Sequence, residues 1–184
     1  VLMLHGCGGK KEEWQQGKLA PRLATRYRIV IFDWYGHGES DDVAEYTTLV
    51  YLQQLQGVID EFCCTQRKFH LYAFSMGNYL ALHYVRQHPE RIQRLVLHSP
   101  WNAELGIFGP ERIIKGFSSM PLVGKCIANL LRKTSFPHVH TPEIFQQILT
   151  TLGQGQAEWE TLLDECVDAM VEATTTTSTT ITDS

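Results

Sequence analysis

Apolar and polar positions alternate between two kinds of pattern in the first hundred residues. Four short apolar runs, VLMLHG (1–6), YRIVIFD (27–33), FHLYAF (69–74) and RLVLHS (94–99), end at or next to glycine, aspartate or serine. Unbroken runs of this length, rich in β-branched and aromatic residues, predict strands. Between them, 14–26 predicts a helix with Pro21 in its first turn or as a kink. Residues 45–62 predict a second helix, with Leu49, Leu52, Leu55, Val58, Ile59 and Phe62 on its apolar face. Residues 76–88 predict a third, stopped by Pro89.

Strand runs without in–out alternation, separated by helices, predict an α/β fold: a parallel sheet of about four strands, covered by helices on both faces. The character changes after Pro100. Residues 113–132, 142–152 and 157–171 read as helices, the last with Leu162, Leu163, Cys166, Val167 and Met170 as its apolar face, and no further strand follows Ser99. The expected organisation is a core over 1–100, a helical cap or lid over 101–172 at the sheet edge, and a Thr-rich disordered tail over 173–184. There is no internal repeat.

Composition narrows the function classes. A chain of 184 residues, 43% hydrophobic, suits one ordinary domain. Its net charge of −4, with no basic stripe, argues against nucleic acid as a partner. No apolar run approaches the roughly 20 residues of a membrane helix. Cys7, Cys63, Cys64, Cys126 and Cys166 are odd in number and lack framework spacing, which reads as reduced thiols in the cytoplasm. The histidines do not join the cysteines at zinc spacing. Val1 opens the chain inside an apolar run with no initiating Met, so the N-terminus reads as missing and a targeting peptide upstream is compatible with it.

GCGGKK is not a phosphate loop, because Leu4 stands at the required glycine and Lys11 at the required Ser/Thr; Lys11 and Asp41 likewise break the two dinucleotide patterns. The chemistry points instead to Ala73-Phe74-Ser75-Met76-Gly77, close to G-x-S-x-G between a strand and a helix. A tight strand-to-helix turn strains the serine and lifts its oxygen clear of the sheet. Small residues at Ala73 and Gly77 let neighbouring backbone pass, and the free N–H groups of the next helix face developing negative charge.

In their order and spacing HGCGG (5–9), DWYGHGES (33–40), AFSMG (73–77) and PERIQRLVLHSP (89–100) resemble the α/β-hydrolase superfamily of serine hydrolases. The resemblance covers 1 to about 100. It implies Ser75 as nucleophile and the backbone N–H groups of Cys7 and Met76 as the oxyanion hole, each donor worth roughly 3 to 4 kcal/mol in the transition state. It implies that His5, Gly6, Ala73 and Gly77 shape the loops, and that Asp33, His37 and Ser40 are structural. Ala73 replaces the first elbow glycine, and Asn78 stands where many relatives have a further glycine. No cofactor or metal is implied.

The family's catalytic acid follows its seventh strand and its histidine its eighth. The resemblance therefore implies the central part of a hydrolase, lacking the first two and last two strands and inactive alone. Among local histidines, His83 and His88 read as helix packing, His98 is closest by topology, and His138 and His140 flank Val139 in a loop; Asp164 and Asp168 read as a solvated helix side. Trp34, Tyr35, Tyr79, Trp101 and Phe108 read individually as core, and as a group they favour a small apolar substrate. The expected function is hydrolysis of a carboxylic ester or related acyl bond through a Ser75 acyl-enzyme. A serine nucleophile argues against dehalogenase and epoxide hydrolase chemistry. The alternative is a non-catalytic hydrolase-like protein that binds a ligand or a partner; no partner protein is identified.

Overall fold

The four apolar runs form β1 (Leu2–Leu4), β2 (Val30–Ile31), β3 (Phe69–Phe74) and β4 (Ile92–His98), all parallel and ordered β2-β1-β3-β4. The computed structural model describes residues 1–63, 67–99, 129–130, 132–156 and 158–179, with backbone alone for 153–156, 160 and 174–179. Leu2 sits beside both Val30 and Leu71, and Phe74 pairs with His98.

Helices occupy the crossovers: α1 (Lys11–Gln16), α2 (Leu19–Ala24), α3 (Thr48–Phe62), α4 (Met76–Gln87), and, beyond β4, α5 (Pro142–Gln156) and α6 (Trp159–Thr179). The single helix expected over 14–26 is two. Pro21 has no N–H to give Gly17, four residues back, and its ring clashes with that carbonyl, so the first helix stops at Gly17. In α3 the buried face is Tyr51, Leu55 and Ile59, while Leu49 and Phe62 are exposed. Tyr51 turns the helix inward because its ring packs on Trp34 at 5.6 Å and its hydroxyl donates to the Tyr35 carbonyl. The helix begins at Thr48, three residues later than expected, where Thr47 caps it by accepting from the Val50 N–H at 3.3 Å. Thr47→Ala is expected to cost about 1 kcal/mol and Thr47→Asp, an equal or better cap, to cost nothing, read as a shift in urea midpoint at constant slope.

Leu2, Leu4, Leu71 and Ala73 point to one side of the sheet and join a single core with α3, α4, α5 and α6, through residues such as Ile59, Leu80, Phe145, Ile148, Leu162 and Cys166. The opposite side is covered differently: Trp14 of α1 meets Tyr72 edge-on at 5.5 Å, and Tyr27 meets His70 at 5.4 Å. Burial on both faces therefore holds for β1 and lapses on β4, where Val96 is 47% exposed. β4 has one neighbouring strand among the described residues.

Helices α5 and α6, expected as part of a cap, share this core. Cys166 donates from Sγ to the Leu82 carbonyl at 2.9 Å, and Arg86 pairs with Glu165 at 2.8 Å, fixing α6 on α4. Val167, expected on the buried face of α6, is exposed. The helix continues to Thr179, into the stretch expected as tail from 173, because each residue added to a packed helix gains one backbone bond against a small threonine penalty. The helix expected over 113–132 falls mostly outside the described residues, as do 180–184.

Candidate active site

Parallel strands deliver their following loops to one end of the sheet. The chain steps from β1 to β2 on one side and then to β3 on the other, so the crevice between the ends of β1 and β3 is a switch point, where open parallel sheets bind ligands. HGCGG leaves β1 there, and Ser75 leaves β3.

Ser75 is the single residue between Phe74, the last of β3, and Met76, the first of α4. Its φ of 50° and ψ of −116° lie where side chains are rare, a conformation that costs roughly 1–3 kcal/mol. Neighbours hold it there. The Ser75 N–H donates to the His98 carbonyl at 3.2 Å, and the Asn78 N–H donates to the Ser75 carbonyl at 2.9 Å. Asn78, fully buried, sends its Nδ2 to the same His98 carbonyl at 2.9 Å. Asn78 is thus a tie between elbow and β4, a role that sequence reasoning missed; an amide side chain where packing calls for a small residue was the available signal.

The loop after β1 lies against the elbow. A methyl on Gly6 would stand 2.8 Å from the Ser75 Cβ, and one on Gly77 would stand 2.9 Å from Leu4. Ala73 is wholly buried beneath. Cys7 follows Gly6, and its N–H donates to no acceptor among the described residues. Met76 opens α4, so its N–H belongs to the unpaired first turn. The Cys7 thiol is pushed up to about 12 by burial, so it stays protonated and offers the site its backbone, not a thiolate.

His5 is buried, and burial lowers its pKa to about 4. Its Nε2 accepts from the Trp34 N–H at 3.1 Å, which leaves Nδ1 protonated to donate to the Gly6 carbonyl at 2.8 Å. A neutral ring thereby fixes the loop. His37 is likewise neutral, lowered to about 3 by burial, with Nδ1 on the Tyr35 carbonyl.

Asp33 ties the two loops together. It accepts from the Lys11 N–H at 2.6 Å, Lys11 Nζ at 2.8 Å and the Glu39 N–H at 3.0 Å. Burial works to raise its pKa, and those donors outweigh it, so the net direction is down from 3.8. Glu12, Asp33 and Glu39 have the spacing of cation ligands, but the Lys11 ammonium stands among them at 3.0, 2.8 and 2.7 Å. A depressed carboxylate contributes stability above 3.8 that is lost as pH falls below it. Asp33→Asn should therefore be less stable than wild type at neutral pH with a shallower acid limb in urea midpoint against pH; parallel acid limbs would refute this.

The remaining candidates lie elsewhere. The His98 ring is exposed and bound through Nδ1 to the Tyr72 hydroxyl at 2.6 Å. His83 packs edge-on to Tyr79, and His88 stands 3.8 Å from Glu90. His138 stands 3.5 Å from Glu13, and His140 lies 2.7 Å from Asp42. Asp164 and Asp168 are exposed. Ser40 accepts from Gln54 Nε2. Trp34 and Tyr79 are core, Tyr35 is half-buried, and Trp101 and Phe108 lie outside the described residues. Among the described residues, the Ser75 hydroxyl has no hydrogen-bond partner.

Residues 1–111 match a protein family described as alpha/beta hydrolase fold. The chain is 32% identical over 114 residues to a 2-hydroxy-6-oxo-6-phenylhexa-2,4-dienoate hydrolase of Burkholderia cepacia, covering 60% of this chain and 39% of that protein. It is 28% identical over 169 residues to a 2-hydroxy-6-oxononadienedioate/2-hydroxy-6-oxononatrienedioate hydrolase of Comamonas testosteroni, covering 86% and 54%. The chain thus spans about half the length, or less, of these curated relatives. Its fold is similar to a structure from work on carboxylesterases of Nitrososphaera gargenis, with TM-score 0.66, 14% identity and coverage of 92% and 68%. It is also similar in fold to a monoacylglycerol lipase of Paleococcus ferrophilus, with TM-score 0.53, 19% identity and coverage of 84% and 66%.

Proposed function

The chain belongs to the alpha/beta hydrolase fold family, and on that premise we propose that Ser75 is the nucleophile of a serine hydrolase cleaving carboxylic esters or related acyl bonds. The observation that carries this is the positive φ of Ser75 at a strand–helix elbow, with the Gly6 backbone in contact with it. The oxo-dienoate substrates in the relatives' names, and the carboxylesterases named with a structural neighbour, support a carbonyl-bearing substrate. Phe74, 36% exposed beside the elbow, supports an apolar one.

Ser75 Oγ attacks the carbonyl carbon while its proton passes to a base. The carbonyl oxygen takes up the charge and accepts from the Cys7 and Met76 N–H groups. Collapse of the intermediate expels the leaving group, protonated by the same base, and leaves the acyl group on Ser75. Water, deprotonated by that base, then attacks; the acid departs and Ser75 regains its proton. The reaction calls for no cofactor. We place the base and its orienting acid outside residues 1–184, which alone would turn over simple esters at close to background. The Ser75 hydroxyl, without a hydrogen-bond partner among the described residues, and the engagement of the His98 ring by Tyr72 support this. The free thiols of Cys7, Cys63 and Cys166 fit a reducing, cytoplasmic setting, and among the described residues no helix is long and apolar enough to cross a membrane.

A fluorophosphonate probe tests the reading on the whole protein. An adduct mapped by mass to the peptide carrying Ser75 is expected. No adduct at high dose would favour the second reading, a non-catalytic ligand-binding member of the family, which the same unpartnered hydroxyl also fits.

A further inference from the structure

A segment distant in sequence buttresses the loop that carries Cys7. Residues 136–140 (FPHVH) lie across the loops that follow β1 and β2. Phe136 packs on Gly8, whose φ is +75°; a methyl there would stand 2.5 Å from the Phe136 Cα. Val139 is buried and pairs with His37 in an antiparallel bridge. The Gly38 N–H donates to the His138 carbonyl at 3.1 Å, the His140 N–H to the Gly36 carbonyl at 3.0 Å, and Arg132 to the Val139 carbonyl at 2.9 Å. His140 closes this strap: Nδ1 lies 2.7 Å from Asp42 Oδ1, and Nε2 lies 3.0 Å from the Gly38 carbonyl. A carboxylate and a carbonyl only accept, so both ring nitrogens must donate. Only the imidazolium carries two N–H groups.

We propose that His140 is a positioning residue for the oxyanion loop: its imidazolium locks the 136–140 strap between Gly8 and Asp42, and loss of its proton loosens the strap and, with it, the Cys7 amide. The proposal rests on the reading of Cys7 as an oxyanion donor. Beside Asp42, the charged and titratable groups near the ring are Asp33, the neutral His37, and Lys10, Glu12, Glu39, Arg132 and His138 around an adjoining cavity of about 450 Å³. Partial burial lowers the His140 pKa; the bonds to Asp42 and Gly38 and the charges of Asp42 and Asp33 outweigh it, and the net direction is up from 6.5. A raised pKa makes the lock complete below 6.5 and removes it as pH rises through the folded value.

Amide exchange followed by NMR on the whole protein, corrected for intrinsic rates, tests this. Gly38 donates into the strap, and Gly9 donates within the oxyanion loop to the Gly6 carbonyl at 3.0 Å. Protection of both amides is expected to fall together, about tenfold for each unit between the free and docked pKa of His140, with the midpoint seen in its ring resonances. Asp42→Asn should move that midpoint down, His140→Gln should abolish the pH dependence, and His138→Gln should leave it in place. If His140→Gln fails to fold, wild type and Asp42→Asn carry the test. Flat Gly9 protection across the His140 titration, or a midpoint indifferent to Asp42→Asn, would overturn the proposal. So would fluorophosphonate labelling that proceeds without regard to strap opening. Absence of any labelling would instead sink the hydrolase reading, while exchange would still decide whether the strap holds the loop.

Discussion

Ser75→Ala is expected to lower turnover of an activated ester by about 10⁶-fold in the whole protein, since removing the nucleophile of a serine hydrolase leaves only binding and the oxyanion donors. Loss of activity alone would not separate chemistry from unfolding, but the strained backbone does. Alanine keeps a Cβ at φ 50°, so Ser75→Ala should hold its unfolding midpoint near wild type. Ser75→Gly should be equally inactive and more stable by about 1 kcal/mol, because glycine takes positive φ without steric cost. An inactive and stabilised glycine variant would mean that the fold spends stability to display this side chain. A glycine variant that retains turnover would remove Ser75 from the chemistry.

The field at the elbow is made from dipoles. His5 and His37, on the loops after β1 and β2, are held neutral by burial, and the Cys7 thiol is held protonated for the same reason. Asp33, the buried carboxylate among the described residues, has Lys11 to balance it. On the proposed reading, the described groups that would meet an oxyanion are the Cys7 N–H, the Met76 N–H and the unpaired first turn of α4. Fixed dipoles need no reorganisation when charge appears, which is where such sites gain most of their rate. Their weakness is that they work only as well as the backbone carrying them is held.

Local features of this arrangement were legible in the sequence. FHLYAF became β3 with the expected ends, and Met76 opens α4 directly after Ser75, because a β-branched or aromatic run followed by a small-residue turn leaves few alternatives. The face of α3 differs from the expected one where a tyrosine, whose hydroxyl found a carbonyl inside the fold, is buried while Leu49 and Phe62 are left in water. Asn78 carried one local signal, an amide where packing calls for a small residue, but its partner, a carbonyl twenty residues ahead, is set only by the fold. The strap was invisible for a related reason. His37 and Val139 meet in one isolated bridge about a hundred residues apart, with no periodicity to mark either side, and His140 acquires its meaning only from Asp42 and Gly38.

Gly6→Ala is the variant that weighs the loop against the nucleophile. Its methyl would meet the Ser75 Cβ at 2.8 Å and the Phe74 ring at 3.1 Å. The elbow cannot yield easily, because Ser75 is tied to β4 through the His98 carbonyl and Asn78. The HGCGG loop must therefore retreat, taking the Cys7 amide with it. Losing one donor of an oxyanion pair costs about 10²–10³ in turnover number, so kcat should fall by that factor while KM moves little, since the donor acts on charge that appears after binding. The Ser75 hydroxyl stays in place, so slow fluorophosphonate labelling at Ser75 should persist, unlike in Ser75→Ala. If Gly6→Ala keeps full turnover, the Cys7 amide is not a donor and the oxyanion must be met from α4 alone; if it raises KM with kcat unchanged, the loop shapes the substrate pocket rather than the transition state.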